Sequence, residues 1–194
     1  MANRIIALSG SPGSGKSTIA KKLAAKLGYE HISMGDLRRQ LARDRGMTLE
    51  DFNRWSETHP EGDYDADQLW RDLATSGRTG IIAEGRMAPY FFRRSAIKLF
   101  LELSPAEAAE RIWSRWQQNQ AARNEGSAIN TQADLERSLH LRIQSDERRY
   151  GQYYPDFDVF DQGNYDLWIN VAGLDETSQF ATIWQALQPF LDEK

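Results

Sequence analysis

The chain has 194 residues, 40% apolar and 27% charged, with a net charge of −4; this is a globular composition, long enough for one substantial core and one domain. The acidic balance excludes bulk attraction to nucleic acid or to an anionic membrane, and the absence of Cys excludes a disulfide framework and a thiolate metal site. No apolar run is long enough for a signal peptide or a membrane span, so the expectation is a cytoplasmic protein, read as a monomer, whose partners are small molecules.

Residues 4–9, "RIIALS", form a short Ile-rich run that ends in Gly-Ser-Pro-Gly, the mark of a buried strand entering a loop. A helix follows over 17–27, with Ile19, Leu23 and Leu27 at i, i+4 and i+8, and Gly28 stops it. "YEHIS" (29–33) is the second strand and 36–45 the second helix. Thr48 and Asp51 predict a short capped helix; Pro60-Glu61-Gly62 predicts a turn before a helix over 66–75. "GIIA" (80–83) and "KLFLEL" (98–103) are the third and fourth strands. Ser104-Pro105 is a strong helix start, Ser as N-cap and Pro at the first position. Residues 117–133 are polar and loose, 133–150 helical, "YDLWINV" (165–171) the fifth strand and 178–191 a closing helix. Strands alternating with helices predict an α/β fold, a five-stranded parallel sheet covered by helices on both faces.

The loop after the first strand carries the chemistry. Gly10, Ser11, Pro12, Gly13, Ser14, Gly15, Lys16, Ser17 and Thr18 match G-x-x-x-x-G-K-[ST]. Backbone N–H groups at the start of the following helix point outward together, and the helix dipole adds partial positive charge. Glycines let the backbone wrap an anion; Lys16 reaches the terminal phosphates and the Ser17 hydroxyl holds Mg²⁺. The bland alternative is a glycine turn capping a structural helix. No Asn-Lys-x-Asp stretch for guanine occurs, and the chain is small for a motor ATPase, which points to a kinase of a small molecule.

Three further stretches bear on the acceptor: "GDLRR" (35–39), "AEGR" (83–86) and "RIQSDERR" (142–149). Phosphoryl transfer is mainly positioning and charge neutralisation, and arginine supplies a planar, permanently charged fork of donors. With "HISMGDLRRQLARDRGMTLEDFNRWSETHPEGDYDAD", "RRYGQYY" and "YDLWIN", these stretches make the chain resemble the cytidylate kinases of the compact form common in archaea, P-loop proteins of the nucleoside monophosphate kinase class, over nearly its whole length. The resemblance implies a P-loop kinase fold, with an acceptor-binding segment at 34–80 and a lid region at 116–141. It implies transfer of a phosphoryl group from ATP, with Mg²⁺, to CMP or dCMP. It places Arg39 and Arg86 on the acceptor phosphate and Asp36 at the acceptor turn. Arg142 and Arg149 bridge donor and acceptor phosphates, Asp146 helps to hold the nucleotide, and Arg111 and Arg115 border the adenine. Glu84 stands beside the metal, where many relatives of the wider class carry Asp.

Each of these has a plainer reading. Arg142 and Arg149 are also what a solvated helix face looks like, and Asp36 what an N-cap looks like. Asp63, Asp65 and Asp67 form either a solvated acidic loop or a source of acceptors for the amino group of cytosine, with Asp63 the one named as substrate-binding. Trp55, Trp113 and Trp116 read as packing, and His31 as a structural residue at a strand end. A kinase of another small acceptor (AMP, UMP, shikimate, a sugar acid) and a nucleotide-binding module without turnover remain alternatives.

Overall fold

The computed structural model describes residues 4–118 and 129–192, with only the backbone of Asp65, Ala66 and Gln118. The polar stretch and the lid region therefore lie partly outside the described residues, and the side chain of Asp65 wholly so.

Five strands, β1 (Ile5–Gly10), β2 (Glu30–Ser33), β3 (Ile81–Glu84), β4 (Ala96–Glu102) and β5 (Leu167–Asn170), form one parallel sheet in the order β2-β3-β1-β4-β5. The helices are α1 (Lys16–Leu27), α2 (Met34–Asp44), α3 (Leu49–Ser56), α4 (Glu61–Thr75), α5 (Ala88–Phe91), α6 (Pro105–Gln118), α7 (Gln132–Tyr153) and α8 (Glu176–Asp192).

The central strand is buried at every residue, and its alternation divides the core. Ile6 and Leu8 pack with Leu23, Ile112, Leu139 and Ile183, joining α1, α6, α7 and α8 on one face. Ile5 and Ala7 pack with Met34, Trp70 and Phe92, which closes α2 and α4 over the other face. Each Ile or Leu removed from water contributes roughly 1.5–3 kcal/mol. A third cluster, Phe100, Tyr154, Phe157 and Val159, seals the far edge, with Trp168 stacked on Phe100 at 3.8 Å.

The caps follow the sequence. Thr48 accepts from the Asp51 amide at the start of α3, and Ser104 from the Glu107 amide ahead of α6. The Pro60–Gly62 turn is corrected: α4 begins at Glu61, with Pro60 as its N-cap at φ −55°, a helical value that proline fixes. A side chain at Gly62 would collide with Ser56, so α3 and α4 pack through that glycine. "PYFF" becomes the short α5, which sends Phe92 edge-on to Trp70. Among the described residues no helix is long and apolar enough to cross a membrane.

Candidate active site

The carboxyl ends of β1, β2 and β3 open into one crevice, the position where parallel α/β sheets bind ligands. The phosphate loop forms its floor. At Gly10, φ is +146° and a Cβ would fall on the Leu101 carbonyl; at Gly15, φ is +84°. Only glycine takes these conformations without strain. Gln179 of α8 donates to the Ser14 carbonyl at 2.7 Å and holds the loop from behind.

Lys16 Nζ donates to the carbonyls of Gly10 (2.8 Å) and Ser11 (2.6 Å). Burial, and then the nearby Arg86 and Arg142, press its pKa down to about 7, against the pull of Glu84. Ser17 Oγ donates to Glu84 Oε1 at 2.6 Å, and the other oxygen, Oε2, meets His31 Nε2 at 2.8 Å. Burial opposes ionisation of Glu84, but His31, Ser17 and Lys16 outweigh it and hold the carboxyl below its usual range. A hydroxyl and an ionised carboxylate side by side are hard oxygen donors. They fit a small divalent cation such as Mg²⁺, which keeps most of its ligands from water and phosphate.

Above this floor lies a cavity of about 570 Å³ whose walls carry Lys16, Arg38, Arg39, Arg86, Arg115 and Arg142, from α1, α2, the β3 end, α6 and α7. The carboxylates on the same walls are fewer: Glu84, Asp36 and Asp146. Arg39 donates to Asp36 at 2.6 Å, which lowers the Asp36 pKa, and Arg86 is paired with Asp146. Burial and then Arg142 push the Arg86 pKa down. Cations gathered this closely lower one another's pKa, and a phosphate bound among them would offset that repulsion.

The structure brings the residues 10–18 loop, Glu84, Arg39, Arg86, Arg115, Arg142, Asp36 and Asp146 to this crevice. Arg111 turns away from the main cavity. It donates to the carbonyls of Val171 and Leu174 and borders an adjoining cavity of about 190 Å³ with Thr18, Arg115 and Gln179. Asp36 is not the N-cap; Ser33 is, accepting from the Asp36 amide at 3.3 Å, while the Asp36 carboxylate holds Arg39.

Two of the predicted site residues do not line the main cavity. Arg149 is 1% exposed and lies behind the crevice wall, donating through Nη1 to Asp63 and through Nη2 to Asp146. It positions Asp146 and does not face the main cavity. Asp63 is 4% exposed, and its oxygens accept from Arg149 and Arg38, so it is the buried counter-ion of two arginines. Asp67 lies beside it, accepting from the Tyr154 hydroxyl. Burial raises the Asp67 pKa to about 6.

Cytidylate kinases of two archaea match along most of their length. That of Archaeoglobus fulgidus is 33% identical over 183 residues, 94% of each chain. That of Halobacterium salinarum is 41% identical over 170 residues, 87% of this chain and 81% of that one. The chain belongs to the cytidylate kinase family. The family described as AAA domain matches residues 6–131, and the chain is a member of it as well. Among solved structures, shikimate kinase from Bacteroides thetaiotaomicron aligns at TM-score 0.60 over 99% of this chain and 100% of its own, at 21% identity. A gluconokinase from Sinorhizobium meliloti aligns at TM-score 0.54 and 14% identity over 98% of each chain. These two share the fold.

Within this member of the cytidylate kinase family, sequence reasoning missed two residues that shape the crevice. Arg38 is buried, bonded to Asp63, Asn53, Ser56 and the Gly62 carbonyl. The signal was available: Met34, Arg38 and Ala42 follow one another at i, i+4 on the buried face of α2, so Arg38 stands where an apolar residue belongs. His31 gave no such signal. It reaches Glu84 only because β2 lies beside β3, a pairing between segments fifty residues apart in sequence.

Proposed function

We propose that the protein transfers the γ-phosphoryl group of ATP to CMP or dCMP, giving the diphosphate. Kinship with the archaeal cytidylate kinases supports the reaction class. The observation that carries it at the site is the cavity in which the phosphate loop faces a wall of arginines drawn from several elements. Two polyanions meet in such a reaction, and the loop and the arginines give each a separate grip.

The residues 10–18 loop wraps the β- and γ-phosphates of ATP, and Lys16 leaves its two carbonyls to follow the transferred group. Ser17 and Glu84 hold Mg²⁺, which when bound neutralises charge on the phosphates. Arg39 and Arg86 grip the acceptor phosphate. Arg142 stands between donor and acceptor and takes up the charge that spreads over the moving group. Arg111 and Arg115 border the adenine beside α8. Asp146, fixed by Arg149, steers Arg86. The acceptor-binding segment is 34–80 and the lid region 116–141. We read the protein as a cytoplasmic monomer; cell fractionation tests the first point and sedimentation the second.

The test is an acceptor panel with ATP and Mg²⁺. CMP or dCMP turns over with a kcat/KM at least about tenfold above UMP, AMP and GMP, the scale expected when one edge contact separates the bases. Preference for AMP or UMP overturns the base assignment, and transfer to none of them overturns the reaction.

A further inference from the structure

The arginines of the main cavity suit phosphates, and Asp63, buried against Arg38 and Arg149, does not line it. A second cavity, of about 300 Å³, opens from the first; Leu49, Asn53, Leu139 and Arg142 line both. It is the groove between α3 and α7. Leu49, Asn53 and Glu57 come from one face of α3 and its C-terminal cap, each four residues apart, and Ser138, Leu141, Arg142, Ser145 and Arg148 from one face of α7. Leu49 and Leu139 give it apolar sides. Leu141, one of only two large apolar side chains exposed among the described residues, forms its lip.

Its polar groups are few and oriented. Asn53 is buried, and its Oδ1 accepts from Arg38 Nη2 at 3.0 Å. Arginine carries only donors, so that bond fixes which end of the carboxamide is oxygen. Nδ2, a pure donor, is left as the other end. Four residues on, Glu57 accepts from Arg148 at 3.0 Å. Ser145 is 7% exposed and makes no hydrogen bond of normal geometry through Oγ, yet it stands near enough to Glu57 to depress the carboxyl's pKa, with Arg148 adding to the effect. The groove therefore presents a fixed donor beside an ionised acceptor, between apolar sides.

We propose that this groove is the base site of the acceptor, with Glu57 accepting from the exocyclic amino group of cytosine and Asn53 Nδ2 donating to its N3 or O2. The inference rests on the phosphoryl-transfer reading above and names the residues that give it specificity. Uracil offers O4 where cytosine offers its amino group, and a carbonyl facing the Glu57 carboxylate sets two acceptors against each other. It also offers N3–H where Asn53 needs an acceptor. Adenine shows the same donor and acceptor pair as cytosine on its edge, so it is turned away by size and not by these two contacts.

The test compares kcat/KM for CMP and UMP in wild type, Glu57→Gln and Asn53→Asp, with thermal unfolding as the check on folding. Glu57→Gln presents an amide that can turn its N–H₂ toward O4, and Asn53→Asp keeps a partner for Arg38 while replacing the donor with an acceptor. Each change lowers the CMP-to-UMP ratio about tenfold or more, mostly through the acceptor KM, while KM for ATP holds. Should Asn53→Asp fail to fold, Glu57→Gln decides alone, because its side chain is only partly buried and its partner Arg148 is exposed. A ratio that stays at the wild-type value in the folded variants, with a wild type that phosphorylates CMP, overturns the groove and spares the reaction. A wild type that phosphorylates no pyrimidine monophosphate overturns the reaction itself.

Discussion

The two sides of the crevice are built in different ways. The side proposed for the donor is one run of nine residues, from the last residue of β1 through the first turn of α1, held in shape by glycines and by bonds from Lys16 to Gly10 and Ser11. The acceptor side is assembled from α2, α3, α4 and α7, with pairs such as Arg149 and Asp63 lying 86 positions apart. A local device survives or fails by its own residues. A distributed one is only as sound as the buried ion pairs that bring its parts together, and those pairs stand behind the surface that touches ligand.

That contrast predicts separable defects. The largest is on the donor side: Lys16→Ala lowers kcat roughly 10³-fold while the unfolding temperature holds or rises, because a buried ammonium that burial already disfavours is removed. A variant that loses its fold instead would make the loop a structural element. On the acceptor side the order reverses for the hidden residues. Asp63→Ala leaves Arg149 and Arg38 without their shared carboxylate and costs about 3–5 kcal/mol in denaturant unfolding. Whatever remains folded keeps its CMP-to-UMP ratio, and a shifted ratio with unchanged stability would return Asp63 to the base.

The arginines facing the cavity give a smaller and cleaner pair. Arg39→Ala raises the CMP KM about 10–100-fold, the worth of a charge-assisted hydrogen bond, with little change in stability, since its pairing with Asp36 is partly exposed. Arg142→Ala lowers kcat more than it raises either KM, because its charge is needed most while the phosphoryl group is in flight. Equal effects of the two on KM would erase the distinction between gripping and transfer.

The smallest effect concerns Asp67. Its pKa of about 6 in the fold lies above the ordinary 3.8, so the folded state binds more protons over that interval. The stability this contributes is fully present below about pH 4 and is lost as pH rises through 6. Relative to Asp67→Asn, the wild type therefore loses on the order of 2 kcal/mol between pH 4 and pH 7. A difference that stays flat with pH would mean that the carboxyl is ionised throughout.

The same contrast decides what the sequence could reveal. All five strands, the phosphate loop and the caps at Thr48 and Ser104 are local patterns, and each was legible. Arg39 and Arg86 were named from short motifs and do reach the cavity. Arg149 was placed on ligand by the family resemblance and Asp63 by the need of cytosine for an acceptor; a sequence shows that a charge is present, not which other side chain it pairs with. That depends on α4 meeting α7, which no local pattern encodes. Asn53 and Glu57 drew no notice for the same reason: on α3 and at its C-terminal cap, each is an ordinary residue until α7 is laid beside it.

The central claim is that one nucleotide is gripped by the loop near the amino end while a second is clamped by arginines from far along the chain. A crystal structure with CMP and a non-hydrolysable ATP analogue tests it most directly. The account predicts Lys16 withdrawn from the Gly10 and Ser11 carbonyls onto the phosphates, with Arg39, Arg86 and Arg142 within hydrogen-bond reach of the acceptor or transferred phosphate. Guanidinium groups turned to bulk solvent, with the acceptor bound elsewhere, would contradict it.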